Sequence, residues 1–260
     1  MKIESMGYLV EASPREMCLA EMLDVIDGDQ RECRWMACLN VHSYVVAKDD
    51  VAFGKALRSA NWLVPDGIAM VWSSRMMGRQ IAERITGPDV FDGIMTALNQ
   101  RGGSVFFLGS TEHNLSQISK RLTKDYPNVR LAGTYSPPFN PKFTDAELNA
   151  MVNAVAGSGA DVLWVGMTAP KQEKWIAANY QRLPVKYAGA IGAVFDFYSG
   201  QLQRANPRIQ KLGLEWLHRL IMQPRRHWRR IAYSIPRFLV DMILEMARLR
   251  ANRDETQRGK

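Results

Sequence analysis

Residues 160–178 read ADVLWVGMTAPKQEKWIAA. The apolar run from Asp161 to Met167 has the length and the β-branched and aromatic content of a buried strand. It stops near a glycine, and Lys171, Gln172, Glu173 and Lys174 follow at once, before Trp175 and Ile176 resume an apolar pattern. The segment therefore predicts a strand that turns directly into a helix. A plain turn needs one or two polar residues, so four of them at this junction mark a site.

The same unit recurs outward in both directions. Strands are predicted near Arg34–Leu39, Trp62–Val64, Ser104–Leu108, Val129–Ala132, Val162–Gly166 and Val185–Ile191. Helices are predicted between them, at about 14–26, 43–59, 67–77, 89–100, 112–124, 144–156 and 170–181. Thr144 with Glu147 spells a capping box, and SPPFNP (136–141) is a loop. Repeated strand–helix–strand units imply an α/β fold, a mostly parallel sheet with helices on both faces. In such sheets ligands bind beyond the carboxyl ends of the strands. The residues that follow the apolar runs are Asn40 and His42, Pro65-Asp66-Gly67, Gly109-Ser110-Thr111, Ala169 to Lys174, and Gly192 with Asp196. Polar and glycine motifs thus gather at one edge.

Composition narrows the class. The chain has 260 residues, 47% hydrophobic and 23% charged, as expected of a folded protein. Three cysteines (Cys18, Cys33, Cys38) lack a CxxC spacing and read as free thiols of a cytosolic protein. The four histidines show no metal spacing, so neither a metal nor a cofactor is expected. The start, MKIESMGYLV, has no apolar signal core, and no stretch is long and apolar enough to span a bilayer. Charge divides the chain near residue 200. Residues 1–200 carry a net −1, and residues 201–260 carry 14 Lys/Arg against 5 Asp/Glu. The reading is a body (1–200) with a basic helical appendage (201–260) that seeks phosphates. Within it, Arg237, Asp241, Glu245 and Arg248 fall on one stripe of a helix over 237–249, and apolar residues fill the rest. That pattern suits docking on an anionic membrane, with Phe238, Leu239 and Ile243 inserted. Packing on the body or on another copy of the chain is the competing use. PRRHWRR (224–230) holds a single aromatic, a poor stacking platform for nucleic acid.

Each candidate has a plainer reading. Asp66 in PDG suits an ordinary turn, but on the ligand edge it is also placed to act as a general base. Arg84 in ERITG (83–87) is a surface arginine or a bidentate anchor for a carboxylate or phosphate. Gly109 in FLGST (107–111) is a common strand end or part of a phosphate-binding helix start. The GxGxxG fingerprint is missing, which argues against a nicotinamide or flavin enzyme. Asp27-Gly28-Asp29 spells a DxD metal pattern, but it precedes the first strand at the wrong end of the sheet and reads as a turn.

Together, VPDG (64–67), ERITG (83–87), FFLGS (106–110), APKQEKW (169–175), GAVFDFYSG (192–200) and RANPRIQKLGLEWLHRLIMQP (204–224) resemble the WecG/TagA/CpsF glycosyltransferase family. The resemblance spans about residues 38–230. It implies a Rossmann-like catalytic domain, peripheral on the cytoplasmic face of the cell membrane. The implied reaction moves a sugar from a UDP-sugar to a polyprenyl-diphosphate-linked sugar with inversion, in cell-surface polysaccharide synthesis. Carried over by position, Asp66 is the expected base, and Asn40 and Arg84 are donor or acceptor contacts. Gln172 is a donor contact, Asp196 lines the pocket, and Arg219, Arg226 and Arg229 grip diphosphate. Cys38 stands where the family often has Thr, and Ala69 where it often has Gly; both bear on how the sugar is seated. The rival reading is a non-catalytic membrane or nucleic-acid adaptor that uses the basic tail.

Overall fold

The computed structural model describes residues 1–30, 32–211, 215–222 and 224–258, except the side chains of 207, 211, 219, 226, 227 and 252–258. The chain opens with an antiparallel hairpin, β1 (Lys2–Ser5) and β2 (Tyr8–Glu11), which the sequence reading had left unassigned. The body then runs α1 (Arg15–Asp27), β3 (Arg34–Leu39), α2 (Val41–Asp49), α3 (Val51–Ser59), β4 (Trp62–Pro65), α4 (Ile68–Met76), α5 (Gly87–Arg101) and β5 (Ser104–Gly109). It continues with α6 (Glu112–Asp125), β6 (Arg130–Tyr135), α7 (Asp145–Ser158), β7 (Val162–Gly166), α8 (Lys171–Asn179), β8 (Tyr187–Ala190) and α9 (Val194–Tyr198). The last part holds α10 (Pro207–Lys211), α11 (Glu215–Met222) and α12 (Pro224–Arg258).

Six strands form one parallel sheet in the order β4-β3-β8-β7-β5-β6. Alternation along each strand explains its two covered faces. Trp35, Ala37, Leu39, Phe106, Leu108, Leu163 and Val165 point to a core shared with α2, α3, α4, α7, α8 and the hairpin. Met36, Val105, Phe107, Val162 and Trp164 point to a core shared with α1, α5, α6 and α9. The helix expected over 43–59 is two helices. Asp50 ends α2 and caps α3, its carboxylate accepting from the Phe53 N–H at 3.0 Å. A short acidic side chain bonds locally to the backbone in this way and starts a new helix. The Thr144–Glu147 capping box forms as expected, at the start of α7.

The apolar stripe read over 237–249 belongs to the longer α12, which lies along α2. Phe238 is buried and meets Tyr44 edge to face at 5.6 Å, so it packs on the body and does not insert into a bilayer. Three members of the polar stripe, Arg237, Asp241 and Glu245, also reach the body, while Arg248 pairs with Glu245 and stays exposed. Asp241 accepts from Lys48 at 2.6 Å and from the Tyr44 hydroxyl at 3.2 Å, and Arg237 pairs with Asp49 at 2.6 Å. Glu245 lies 3.9 Å from Arg79. Leu239, Val240, Ile243 and Leu244 remain exposed on the other side. Among the described residues no helix is long and apolar enough to cross a membrane.

Candidate active site

The carboxyl ends of β3 and β4 bring Asn40 and Asp66 together. Asn40 caps α2: its Oδ1 accepts from the Ser43 N–H at 3.0 Å, and Ser43 Oγ accepts from the Asn40 N–H at 2.8 Å. With Oδ1 so engaged, the amide nitrogen is left to turn elsewhere, and it donates to Asp66 Oδ2 at 3.4 Å. The Asp66 N–H donates to the Leu39 carbonyl at 2.9 Å, which ties the PDG turn to the neighbouring strand end. Both side chains are half-buried. Asp66 therefore sits at the ligand edge, held by backbone and amide.

ERITG adjoins this pair, because the Ile85 N–H donates to the Pro65 carbonyl at 3.1 Å. Thr86 caps α5 reciprocally with Asp89. Arg84 pairs with Glu215 Oε2 at 3.3 Å, and Arg204 pairs with the other oxygen at 3.3 Å. Arg204 also donates to Thr86 Oγ1 at 3.4 Å and lies 3.7 Å from Asp89. Glu215 is buried, so two arginines from distant segments share one desolvated carboxylate. That network fastens the start of the appendage to the body's ligand edge. Sequence reasoning gave Arg84 a ligand role and had no role for Arg204 or Glu215. Their membership in RANP and LEW was the only signal, since 131 positions separate Arg84 from Glu215.

Gly109 has a structural reason of its own. It lies opposite Gly166 across β5 and β7 with φ +116°, and a Cβ there would fall 2.7 Å from the Gly166 carbonyl. Beyond it, Thr111 caps α6, and Asn114 donates to Ser110 Oγ at 2.6 Å and to Asp196 Oδ1 at 3.2 Å. Asp196, on α9, is thereby joined to the FLGST turn.

The opening segment resolves into two pairs. Lys171 reaches the Asn140 carbonyl at 2.5 Å and lies over the Phe143 ring, while Lys174 pairs with Asp50. Both lysines thus brace neighbouring elements. Gln172 and Glu173 are buried, and Gln172 Nε2 donates to Glu173 Oε1 at 2.9 Å. The Ala169–Pro170 peptide before them is cis. Gly192, at φ +47°, packs on the Gln172 amide, where a Cβ would lie 3.4 Å from both amide atoms. Burial pushes the Glu173 carboxyl up to about 7, against the pull of the Gln172 hydrogen bond. Glu173 was missed as a site residue. Helical spacing held the signal, since Gln172 and Glu173 share the face of Ile176 while Lys171 and Lys174 fall together on another.

Cys38 marks the centre. Burial raises its thiol well above the ordinary range, and Asp66, Glu173 and Asp89 raise it further through their charges. Carboxyl groups of Asp66, Glu173 and Asp89 thus act on the thiol near the end of β3. Of the appendage residues, Arg229 is exposed beside the Trp228 ring, 5.7 Å away. The side chains of Arg219 and Arg226 lie outside the described residues. Asp27 and Asp29 are at the opposite, amino edge of the sheet. There Asp27 pairs with Arg101 at 2.6 Å, and Asp29 lines a cavity of about 740 Å³ with Asp24, Glu32 and Arg34. Among the described residues no group of three or more His, Cys, Asp or Glu could hold a metal ion.

An open parallel sheet with a carboxylate, an amide and a buried Gln–Glu pair at its carboxyl edge defines an α/β protein of the Rossmann-like class. The chain belongs to the glycosyl transferase WecG/TagA/CpsF family, whose pattern matches residues 3–252. It is therefore a glycosyltransferase. Two similar proteins are N-acetylglucosaminyldiphosphoundecaprenol N-acetyl-beta-D-mannosaminyltransferases. The one from Bacillus subtilis (strain 168) is 30% identical over 218 residues, 84% of this chain and 82% of that protein. The one from Bacillus spizizenii is 29% identical over 215 residues, 83% and 80% of the two chains.

Proposed function

We propose that this glycosyltransferase moves a sugar from a UDP-sugar to a polyprenyl-diphosphate-linked sugar, with inversion, at the cytoplasmic face of a membrane. The observation that carries the reading is the Asn40–Asp66 pair on the ligand edge. In this mechanism Asp66 takes the proton of the acceptor hydroxyl as its oxygen bonds to the anomeric carbon. The bond from that carbon to the UDP oxygen breaks, and UDP leaves from the opposite face. A base so placed contributes roughly 10²–10⁴-fold. Asn40 holds the Asp66 carboxylate in place through its amide.

The departing diphosphate needs positive charge. Arg219, Arg226 and Arg229 of the appendage are assigned that task, and arginine suits it because its planar fork meets phosphate oxygens in pairs. No metal is assigned a step. The exposed Leu239, Val240, Ile243 and Leu244 of α12, with Trp228 near the arginines, supply the membrane-docking face. The names of the Bacillus proteins make N-acetylmannosamine the first sugar to test and diphosphate-linked N-acetylglucosamine the first acceptor.

The test is a panel of UDP-sugars against a short-chain prenyl-diphosphate N-acetylglucosamine, scored by UDP release and product mass, with and without EDTA. One sugar is expected to transfer at the same rate in both arms. Absence of UDP release across the panel sinks the transferase mechanism. Arrest by EDTA with recovery in Mg²⁺ or Mn²⁺ sinks metal independence.

A further inference from the structure

Gln172 and Glu173 are each more than nine-tenths buried, and each leaves one oxygen without a partner among the described residues. Gln172 Oε1 accepts nothing, and Glu173 Oε2 neither accepts nor donates. Buried polar atoms are almost always satisfied in a working state, so a pair left open on adjacent residues points to a ligand. The bond from Gln172 Nε2 to Glu173 Oε1 fixes the orientation of the amide. Its nitrogen faces the carboxyl group, and its carbonyl must then serve the ligand as an acceptor. Gly192 lies beside the amide, where a side chain would come within 3.4 Å of both of its polar atoms.

The charge around the pair decides its other half. Lys171 and Lys174, on the same helix, are spent on Asn140 and Asp50. The Cys38 thiol of β3 feels the charge of Glu173, together with those of Asp66 and Asp89. A negative charge on Glu173 would therefore stand desolvated, eased by the Gln172 amide but by no cation among the described residues, in a site that must also admit a diphosphate.

We infer that Gln172 and Glu173 form an uncharged recognition pair for the nucleotide-sugar donor, with Gln172 Oε1 accepting and a protonated Glu173 Oε2–H donating. The matching chemistry is a neutral polar group that offers both a donor and an acceptor. The uracil edge and the sugar hydroxyl or acylamino groups both carry it. Glu173 is thus a specificity-determining residue, and its assignment rests on the UDP-sugar reading above.

The experiment measures calorimetric binding of UDP and of UDP-N-acetylmannosamine at pH 6 and pH 8.5 to wild type, Glu173→Gln and Glu173→Ala. Thermal melts establish that each protein is folded. Wild type is expected to bind about tenfold more weakly at the higher pH, the worth of one hydrogen bond. Glu173→Gln keeps a donor at this position, so it should bind better than Glu173→Ala and lose the added pH dependence. Ionisation of UDP itself is common to all three proteins and cancels. An effect seen with UDP alone assigns the pair to the uracil edge; one seen only with the UDP-sugar assigns it to the sugar. Infrared spectra of wild type minus Glu173→Gln should show a carboxylic-acid band at pH 6 that fades near neutrality. No acid band at pH 6, or equal weakness of the Gln and Ala variants, overturns the inference. Binding with this behaviour but no UDP release to an acceptor would sink the transferase reading and leave the recognition pair standing. No binding of either nucleotide sinks both.

Discussion

The body of the molecule and α12 bury their residues in opposite ways. Every residue of β5 is buried, and side chains on both of its faces are covered by helices. Helix α12 is anchored by Phe238, Ser234 and a row of polar contacts to α2, and it leaves Leu239, Val240, Ile243 and Leu244 in the open. The body's apolar pattern is spent on its own fold. The helix's pattern is spent only in part, so two residues that look alike in the sequence, Phe238 and Ile243, do different work. Exposed ion pairs such as Arg237–Asp49 contribute little to holding the helix, and the buried ring contributes most.

The harshest way to break this comparison is to end the chain after Gly200. The α/β body should still fold, with a lower Tm because Phe238 no longer covers Tyr44. Transfer to a lipid-linked acceptor should fall to background, and sedimentation with anionic vesicles should cease. A truncated body that transfers at full rate would deny the appendage any part in catalysis.

Within the body, Asp66→Asn should lower turnover by roughly 10²-fold or more while the melt and donor binding stay close to wild type. Steady-state kinetics at saturating donor would measure it, and near-normal turnover would remove Asp66 from the mechanism.

A paired substitution sharpens the contrast along α12 itself. Phe238→Ala should cost about 3 kcal/mol in chemical denaturation, as for other buried aromatic truncations. Ile243→Glu should leave stability within about 0.5 kcal/mol, as surface changes do, and abolish vesicle binding at low salt. If Ile243→Glu unfolds the protein, that face is packed and the comparison fails.

The gentlest probe is pH. Glu173 has its carboxyl raised to about 7 in the fold, above the ordinary 4.5 of the unfolded chain. The folded state therefore holds this proton after the unfolded chain has lost it. Stability is full below about pH 4.5, declines as pH rises, and levels off above about pH 7, with a span on the order of 3 kcal/mol at most. Glu173→Gln should show a flatter profile across that window. Denaturant midpoints of the two proteins from pH 4.5 to 8 would measure the difference, and parallel profiles would refute the burial of a titrating acid.

Much of this was legible in the sequence. Two strands, Arg34–Leu39 and Val162–Gly166, fall where their apolar runs place them, because a strand covered on both faces is written as a continuous run. The ligand edge was legible too, since polar residues interrupt those runs at one end. What was hidden depends on pairing across the chain. The hairpin at Lys2–Glu11 is a separate case: its pairing is local, at most nine residues apart, but its four-residue strands carry no long apolar run. The Arg84–Glu215–Arg204 network joins segments that share no local pattern. The assignment of Phe238 to a bilayer failed because the width of an apolar face does not say which part of it another helix already covers.

The place of β8 in the sheet carries a further consequence, for how the chain is made. It is the last strand in sequence, yet it lies between β3 and β7 and is the link that joins the β4-β3 pair to the β7-β5-β6 trio. Until residues 187–190 have left the ribosome, the nascent chain can hold only two partial sheets, each with an open apolar edge. Closing the gap pairs Arg34 with Tyr187, a separation that makes this step slow relative to local helix formation. The interval before β8 arrives is when this chain is most exposed to aggregation and most in need of a chaperone.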